Sequence, residues 1–193
     1  MAETLTYRAD SQRARIADGM EFMILTGNAE IQSGSMEITA DEIEASGNNW
    51  RYVIGRGQVK VYDSERGLRL ESENLFYDRE LEITRIDGYT EMQDLHNEVV
   101  VKGGFFEYLG QDELVVIQIG VRIIKITDES ELTCRAELAR YQRDLNTLEL
   151  TGVPRVTRNE DEYSASRILI NLDTDEIILE DGVRGSIVEA GDS

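Results

Sequence analysis

Apolar and polar residues alternate along most of this chain in short stretches. Val59-Lys60-Val61, Leu68-Arg69-Leu70 and Leu81-Glu82-Ile83 show it, and Glu176-Ile177-Ile178-Leu179 is a related apolar run. A period of two puts successive side chains on opposite faces, as in half-buried strands. Long helical stripes are hard to find. One proline, Pro154, stands against sixteen glycines, which suits a chain whose N–H groups mostly serve a ladder. The pattern predicts an all-β protein. No apolar run approaches the ~20 residues that a spanning helix needs.

The alternating stretches recur. Gly27, Gly57, Gly88, Gly120, Gly152 and Gly182 each open one, at intervals of 30, 31, 32, 32 and 30 residues. A second marker lies between them: a small residue, often followed by an acidic or polar one. It begins at Ala9, Ala40, Ser72, Gly103, Ala136 and Ala165, at intervals of 31, 32, 31, 33 and 29. Two interleaved markers with one period define about six repeats of ~31 residues, each with room for about four short strands. Turn residues fall between the strands at Asp18-Gly19, Ser33-Gly34, Ser46 to Asn49, Asp63 to Gly67, Asp87-Gly88 and Asp173 to Asp175. With no Pro-, Gly- or Ser-rich linker, residues 1–193 are expected to form one elongated β-domain, its repeats running from about 5 to 189. Each repeat would bury its apolar face by stacking on its neighbours. Tyr77, Tyr108 and Tyr141 recur at the sixth place of the second marker. They are expected as core or rim residues with their hydroxyls in water.

Composition narrows the function. The net charge is −19, from 20 basic and 39 acidic residues, which leaves little for a nucleic-acid backbone or an anionic membrane surface. The 40% hydrophobic content is enough to form a core, so disorder is rejected. Cys134 is the single cysteine and cannot form an internal disulfide. No leader sequence is evident, and Met1-Ala2-Glu3 reads either as a native start or as the remnant of a removed leader.

The search for catalytic chemistry finds little. His96, the one histidine, lies in a turn-like segment and has no cysteine or second histidine for a zinc site. Asp173-Thr174-Asp175-Glu176 lacks the glycine and distal glutamate of an EF-hand and reads as a solvated turn. Gly55-Arg56-Gly57 is too short for a phosphate loop. Ser164 and Ser166 have no histidine near them in sequence. No catalytic residue, metal or cofactor is expected.

Some segments resemble a known family. Leu25-Thr26-Gly27-Asn28-Ala29-Glu30-Ile31 and Ile38-Thr39-Ala40-Asp41-Glu42-Ile43 resemble the opening of LptA/OstA proteins. Asn146 to Val156 is similar to that family's late motif, and Ile177 to Gly185 to its ending. The resemblance spans roughly residues 5 to 189. It implies an OstA-type β-jellyroll folded like a taco around an apolar slot. It also implies a periplasmic lipopolysaccharide-transport protein that holds acyl chains in the slot and passes them towards the outer membrane. Implied partners are lipopolysaccharide or a related glycolipid, other OstA-like domains, and further copies of the chain stacked end to end. Nucleic acid is not among them. Both the soluble bridge and the soluble domain of an outer-membrane assembly protein fit the resemblance.

Period-two reading nominates Ile31, Ile38, Ile43, Val59, Val61, Leu75, Met92, Phe106, Val116, Leu138, Val156 and Ile168 as slot residues, with Ala29, Ile124 and Ile170 beside them. One acyl chain of about a dozen carbons would contribute roughly 9–10 kcal/mol gross on burial there. In the alternative, the same side chains meet each other and seal the core of an interaction solenoid with no lipid. A glycan-active β-solenoid enzyme would need acids clustered on one face, and their distribution along the chain is even. Two features depart from the family pattern. Gly103-Gly104 replaces the small-plus-acid pair, and the acidity would repel an anionic headgroup at low salt.

Overall fold

The computed structural model describes residues 4–15, 21–127 and 130–188. Its strands are β1 (Leu5–Arg8), β2 (Ser11–Arg15), β3 (Phe22–Ser33), β4 (Met36–Ser46), β5 (Tyr52–Asp63), β6 (Leu68–Asp78), β7 (Ile83–Asp94) and β8 (Val99–Leu109). They continue as β9 (Leu114–Ile126), β10 (Glu131–Gln142), β11 (Thr147–Thr151), β12 (Arg155–Arg158), β13 (Asp161–Ser164), β14 (Arg167–Asn171), β15 (Ile177–Glu180) and β16 (Arg184–Ser186). From β3 to β10 every strand pairs antiparallel with the next. The all-β expectation therefore holds, but β3 to β10 are long, at 11 to 13 residues, and each serves twice.

The doubling comes from the repeat markers. Ladder register breaks near the middle of the long strands, between Thr26 and Ala29, Arg56 and Val59, and Asp87 and Thr90, and opposite Ala136/Leu138. At these breaks Gly27 and Asn28, Gly57 and Gln58, and Ile119 and Gly120 have positive φ in pairs, as do Gly152 and Val153 beyond β11. A positive φ turns a strand sharply and is easiest for glycine. Each long strand thus bends at a corner and contributes one half to each of two layers. Layer A contains β2, the halves that include Leu25, Ala45, Val53, Leu75, Ile86, Phe106, Ile117 and Ala139, and then β11, β14 and β15. Layer B contains β1, the halves that include Ile31, Ile38, Val59, Leu70, Met92, Val101, Ile123 and Cys134, and then β12, β13 and β16. One apolar core fills the space between them.

The second marker sits on the neighbouring strand at the same corner. The Asp10 carboxylate accepts a hydrogen bond from Asn28 Nδ2 at 2.9 Å, and its amide donates to the Gly27 carbonyl at 2.9 Å. A Cβ on Gly27, Gly57 or Gly152 would run into Asp10, Asp41 or Glu137 respectively. The two markers are the two sides of one joint.

The fourth corner reverses the roles. Ile119, a β-branched residue, has φ 67° there, and a side chain on Gly104 would lie 3.1 Å from its Cβ. The glycine pair Gly103-Gly104 makes room for Ile119. A positive φ on such a residue costs about 1–2 kcal/mol. Ile119 is mostly exposed, so little burial offsets that cost. Ile119→Gly is expected to raise stability by about 1 kcal/mol, read as a higher urea midpoint at unchanged slope.

Candidate functional site

The interior between the layers is the candidate site. Ile31, Ile38, Ile43, Val59, Leu75, Met92, Phe106, Val156 and Ile168 are buried in it, as are Ala29 and Ile170, and Val61 packs half-buried against it. Val116 and Leu138 lie on the outer face of layer A. Val116 stands opposite Glu107 and Arg140, while its neighbours Val115 and Ile117 point inward. Leu138 follows the bulge at Ala136, so that Ala136 and Ala139 are both buried and Leu138 between them is not. Ile124 is likewise displaced by Ile123, which is fully buried.

The interior is densely filled. A gap of about 30 Å³, lined by Met36, Val61, Leu70, Met92, Phe106 and Tyr108 among others, separates the layers near the middle. A space of that size holds a water molecule or two and no acyl chain. A wider hollow of about 910 Å³ opens at the β1–β2 end, lined by Leu5, Ala14, Met23 and Trp50 together with Arg51 and Arg79.

Opposite the corners, the hairpin turns of the two layers meet as a pair of lips. Cations bridge these lips along their length. Arg79 donates to Ser33 Oγ at 3.0 Å, and Arg66 reaches Glu82 at 2.6 Å. Arg143 reaches Asp94 at 2.7 Å, and Arg158 reaches Asp175 at 2.8 Å. Lys125 Nζ donates to the Leu172 carbonyl. The Arg143–Asp94 pair is buried, with side-chain exposures of 6% and 0%. Tyr141 Oη donates to the same Asp94 oxygen at 3.1 Å, and Arg143 also donates to the Arg66 carbonyl at 2.8 Å. Tyr108 Oη donates to Glu113 at 3.1 Å. Tyr108 and Tyr141 are core residues, as one of the two expected placements had it, but their hydroxyls lie inside this network and not in water. Burial, with Glu113 nearby, pushes the Tyr108 hydroxyl up to about 12.

Three of these turns carry their own carboxylate anchor. Asp63 accepts the amides of Glu65 and Arg66, Asp78 those of Glu80 and Leu81, and Asp94 those of His96 and Asn97. Burial alone would raise these carboxyls. Bonds from Arg66 and Ser35, from Arg51 and from Arg143 and Asn97, with the turn amides, instead hold all three below the ordinary aspartate value. The unfolded chain, with Asp near ~3.9, therefore takes up protons before the fold does. The stability these groups supply is complete above about pH 5 and falls as pH drops through the unfolded value towards the folded ones. The urea midpoint is expected to stay level down to about pH 5 and then fall. Asp78→Asn should flatten that fall measurably.

Other sequence candidates carry no comparable geometry. His96 is exposed in its turn. Asp173 and Asp175 accept bonds from Asn146 and Arg158. Among the described residues, no group of three His, Cys, Asp or Glu side chains is placed to hold a metal ion. Burial pushes the Cys134 thiol up to about 12, which leaves it unreactive.

A two-layered β-structure, bent at periodic glycine corners around an apolar interior, fits a family of lipopolysaccharide transport proteins. The LptA/(LptD N-terminal domain) LPS transport protein family matches residues 8–176, and the chain belongs to it. Among solved structures, the chain matches LptH, the LptA-homologous periplasmic component of the lipopolysaccharide transport device of Pseudomonas aeruginosa. The two share 10% identity over 97% of this chain and 96% of that one, with a TM-score of 0.31. No curated protein sequence matches the chain.

Proposed function

We propose that this chain acts in the periplasm as a lipid-holding segment of a lipopolysaccharide transport bridge. Acyl chains of lipopolysaccharide or a related glycolipid would occupy the space between the layers and be passed on towards the outer membrane. The observation that carries this reading is the shape of the core. A continuous apolar interior is hinged by glycine corners on one side and closed on the other by polar bridges between separate turns. Such lips can part without breaking a strand. Beyond the hollow at the β1–β2 end, the filled interior requires them to part, since the gap near the middle is too small for a chain.

Among the described residues, both layers end in strands with one open side: β2 and β15 in layer A, β1 and β16 in layer B. Open edges accept further strands, which supports end-to-end stacking with copies of the chain or with related domains. A monomer at every concentration on sizing would count against stacking.

The dense packing favours a second reading, an interaction solenoid with a sealed core. Titration with cis-parinaric acid, combined with native mass spectrometry of the loaded protein, separates the two. Saturable binding that quenches or shifts the emission of Trp50, the single tryptophan, supports the lipid reading. No occupancy at saturating fatty acid supports the sealed core.

A further inference from the structure

The charge of −19 conceals an uneven distribution. One cross-strand row on the outer face of layer B can be followed by register from strand to strand. It runs Glu91, Lys102, Arg122, Arg135, Arg155, Ser164, Arg184 over β7, β8, β9, β10, β12, β13 and β16. Lys102 is paired with Glu91 at 2.6 Å. Arg122, Arg135, Arg155 and Arg184 are exposed, and none of them forms an ion pair among the described residues. Arg135 stands directly opposite both Arg122 and Arg155. Cross-strand neighbours on one face lie ~5 Å apart, and like charges in that position destabilise a sheet. The nearer half of the same layer shows the ordinary solution, with Arg8 opposite Glu30 and Lys60 opposite Glu71.

The surface around the row is concave. A groove of about 430 Å³ is lined by Arg135, Arg155 and Arg184, with the hydroxyl residues Thr133, Thr157, Ser164 and Ser186 beside them. Among the described residues, Glu162 is the one acid of its lining. Guanidinium groups bind phosphate oxygens in paired, charge-assisted bonds, and hydroxyls suit the polyol of a sugar. An anionic membrane would call for a flat or convex basic surface with apolar anchors, whereas Val156 and Tyr163, which also line this groove, alternate with the row residues and belong to the strands' other face.

We propose that this arginine row is a binding site for a phosphorylated saccharide, on the outside of layer B and separate from the interior. That its natural source is the saccharide part of a transported glycolipid rests on the lipopolysaccharide reading above. The row also reconciles an acidic protein with an anionic ligand. Repulsion is local, and here four cations without an ion pair among the described residues stand on a row five strands wide.

The test uses the full chain and three probes: lipopolysaccharide oligosaccharide freed of its acyl chains, the same oligosaccharide dephosphorylated, and inorganic phosphate. Binding is followed by calorimetry at low and at physiological salt. The wild type should bind the phosphorylated oligosaccharide at least tenfold more tightly than inorganic phosphate, and the affinity should weaken as salt rises. Arg135→Gln with Arg155→Gln should lower that affinity tenfold or more. The melting temperature should hold or rise, because a like-charge contact is removed. Arg56→Gln, on layer A and paired there with Glu42, should leave binding unchanged. The proposal is overturned if the double variant binds as the wild type does, or if phosphorylated and dephosphorylated probes bind alike. It is also overturned if the free ion competes as well as the saccharide, or if only anionic vesicles bind. Fatty acid uptake is scored on the same variants. Lost saccharide binding with uptake intact supports a separate site, and uptake failing in every protein while the saccharide still binds removes the slot reading alone.

Discussion

Replacing Arg143 by methionine should cost about 3–5 kcal/mol of folding stability, the usual penalty for leaving a buried charge without its partner. At ~3 °C per kcal/mol for a chain of this size, the melting temperature should fall by about 10 °C. Asp94 has no exposed side-chain surface, and its Oδ2 accepts a hydrogen bond from Arg143 Nε at 2.7 Å. Tyr141 and Asn97 still donate to that oxygen in the variant, so the carboxylate keeps neutral hydrogen bonds while losing its counter-ion. Adding Asp94→Asn should restore a large part of the loss, since no buried charge remains. Urea unfolding of the wild type, both single variants and the double variant gives the coupling energy directly. A loss under 1 kcal/mol in Arg143→Met would show that the pair does not hold the lips together. Arg66, at the neighbouring bridge, is a control of a different kind. Its side chain is 28% exposed and shares three carboxylates, Asp63, Glu82 and Glu113, so its loss should cost less.

How far each feature could be read from sequence follows from how local its cause is. The period of ~31 was legible because a corner demands glycine on one strand and a small or short polar residue on the next. Both demands act within a few residues. The inward phase was legible wherever charges alternate with apolar residues, as in Val59-Lys60-Val61. It failed in β9, where Leu114-Val115-Val116-Ile117 is apolar on both faces, and in β10, where the bulge at Ala136 inverts the alternation before Leu138. The small-acid strands invert phase at their corners: Ile38 and Ala40 are buried before the bend in β4, Ile43 and Ala45 after it. Strict period-two counting cannot cross such a joint.

The lip bridges were not legible, because their partners are far apart in sequence: Asp94 and Arg143 are separated by 49 residues, and the Arg66 carbonyl and Arg143 by 77. A weaker signal was present, since Asp63, Asp78 and Asp94 recur at half the repeat length at strand ends. As sequence they read only as turn residues. The arginine row has no period at all and forms only once the register is known. Net charge pointed away from it, since a sum over the chain carries no information about which face holds which sign.

The corners predict the second large effect. Gly152→Ala should cost about 3 kcal/mol, the sum of two penalties. The first is conformational: Gly152 has φ 75°, where an alanine loses about 1–2 kcal/mol. The second is steric: the new Cβ would lie 2.6 Å from Glu137 Cβ, an atom fixed by its own backbone and unable to rotate away. The fourth corner shows how the second penalty is relieved. There Ile119 takes the positive φ and Gly104 faces it without a side chain. Glu137→Gly should therefore rescue the steric part of Gly152→Ala and leave the conformational part. The double variant then sits about 1–2 kcal/mol below Glu137→Gly alone, and Gly152→Ala sits further below the wild type. Equal effects of Gly152→Ala in both backgrounds would mean that Glu137 does not contact the corner. Bound fatty acid should protect the single variant less than the wild type, because a strained hinge holds the two layers less firmly in register.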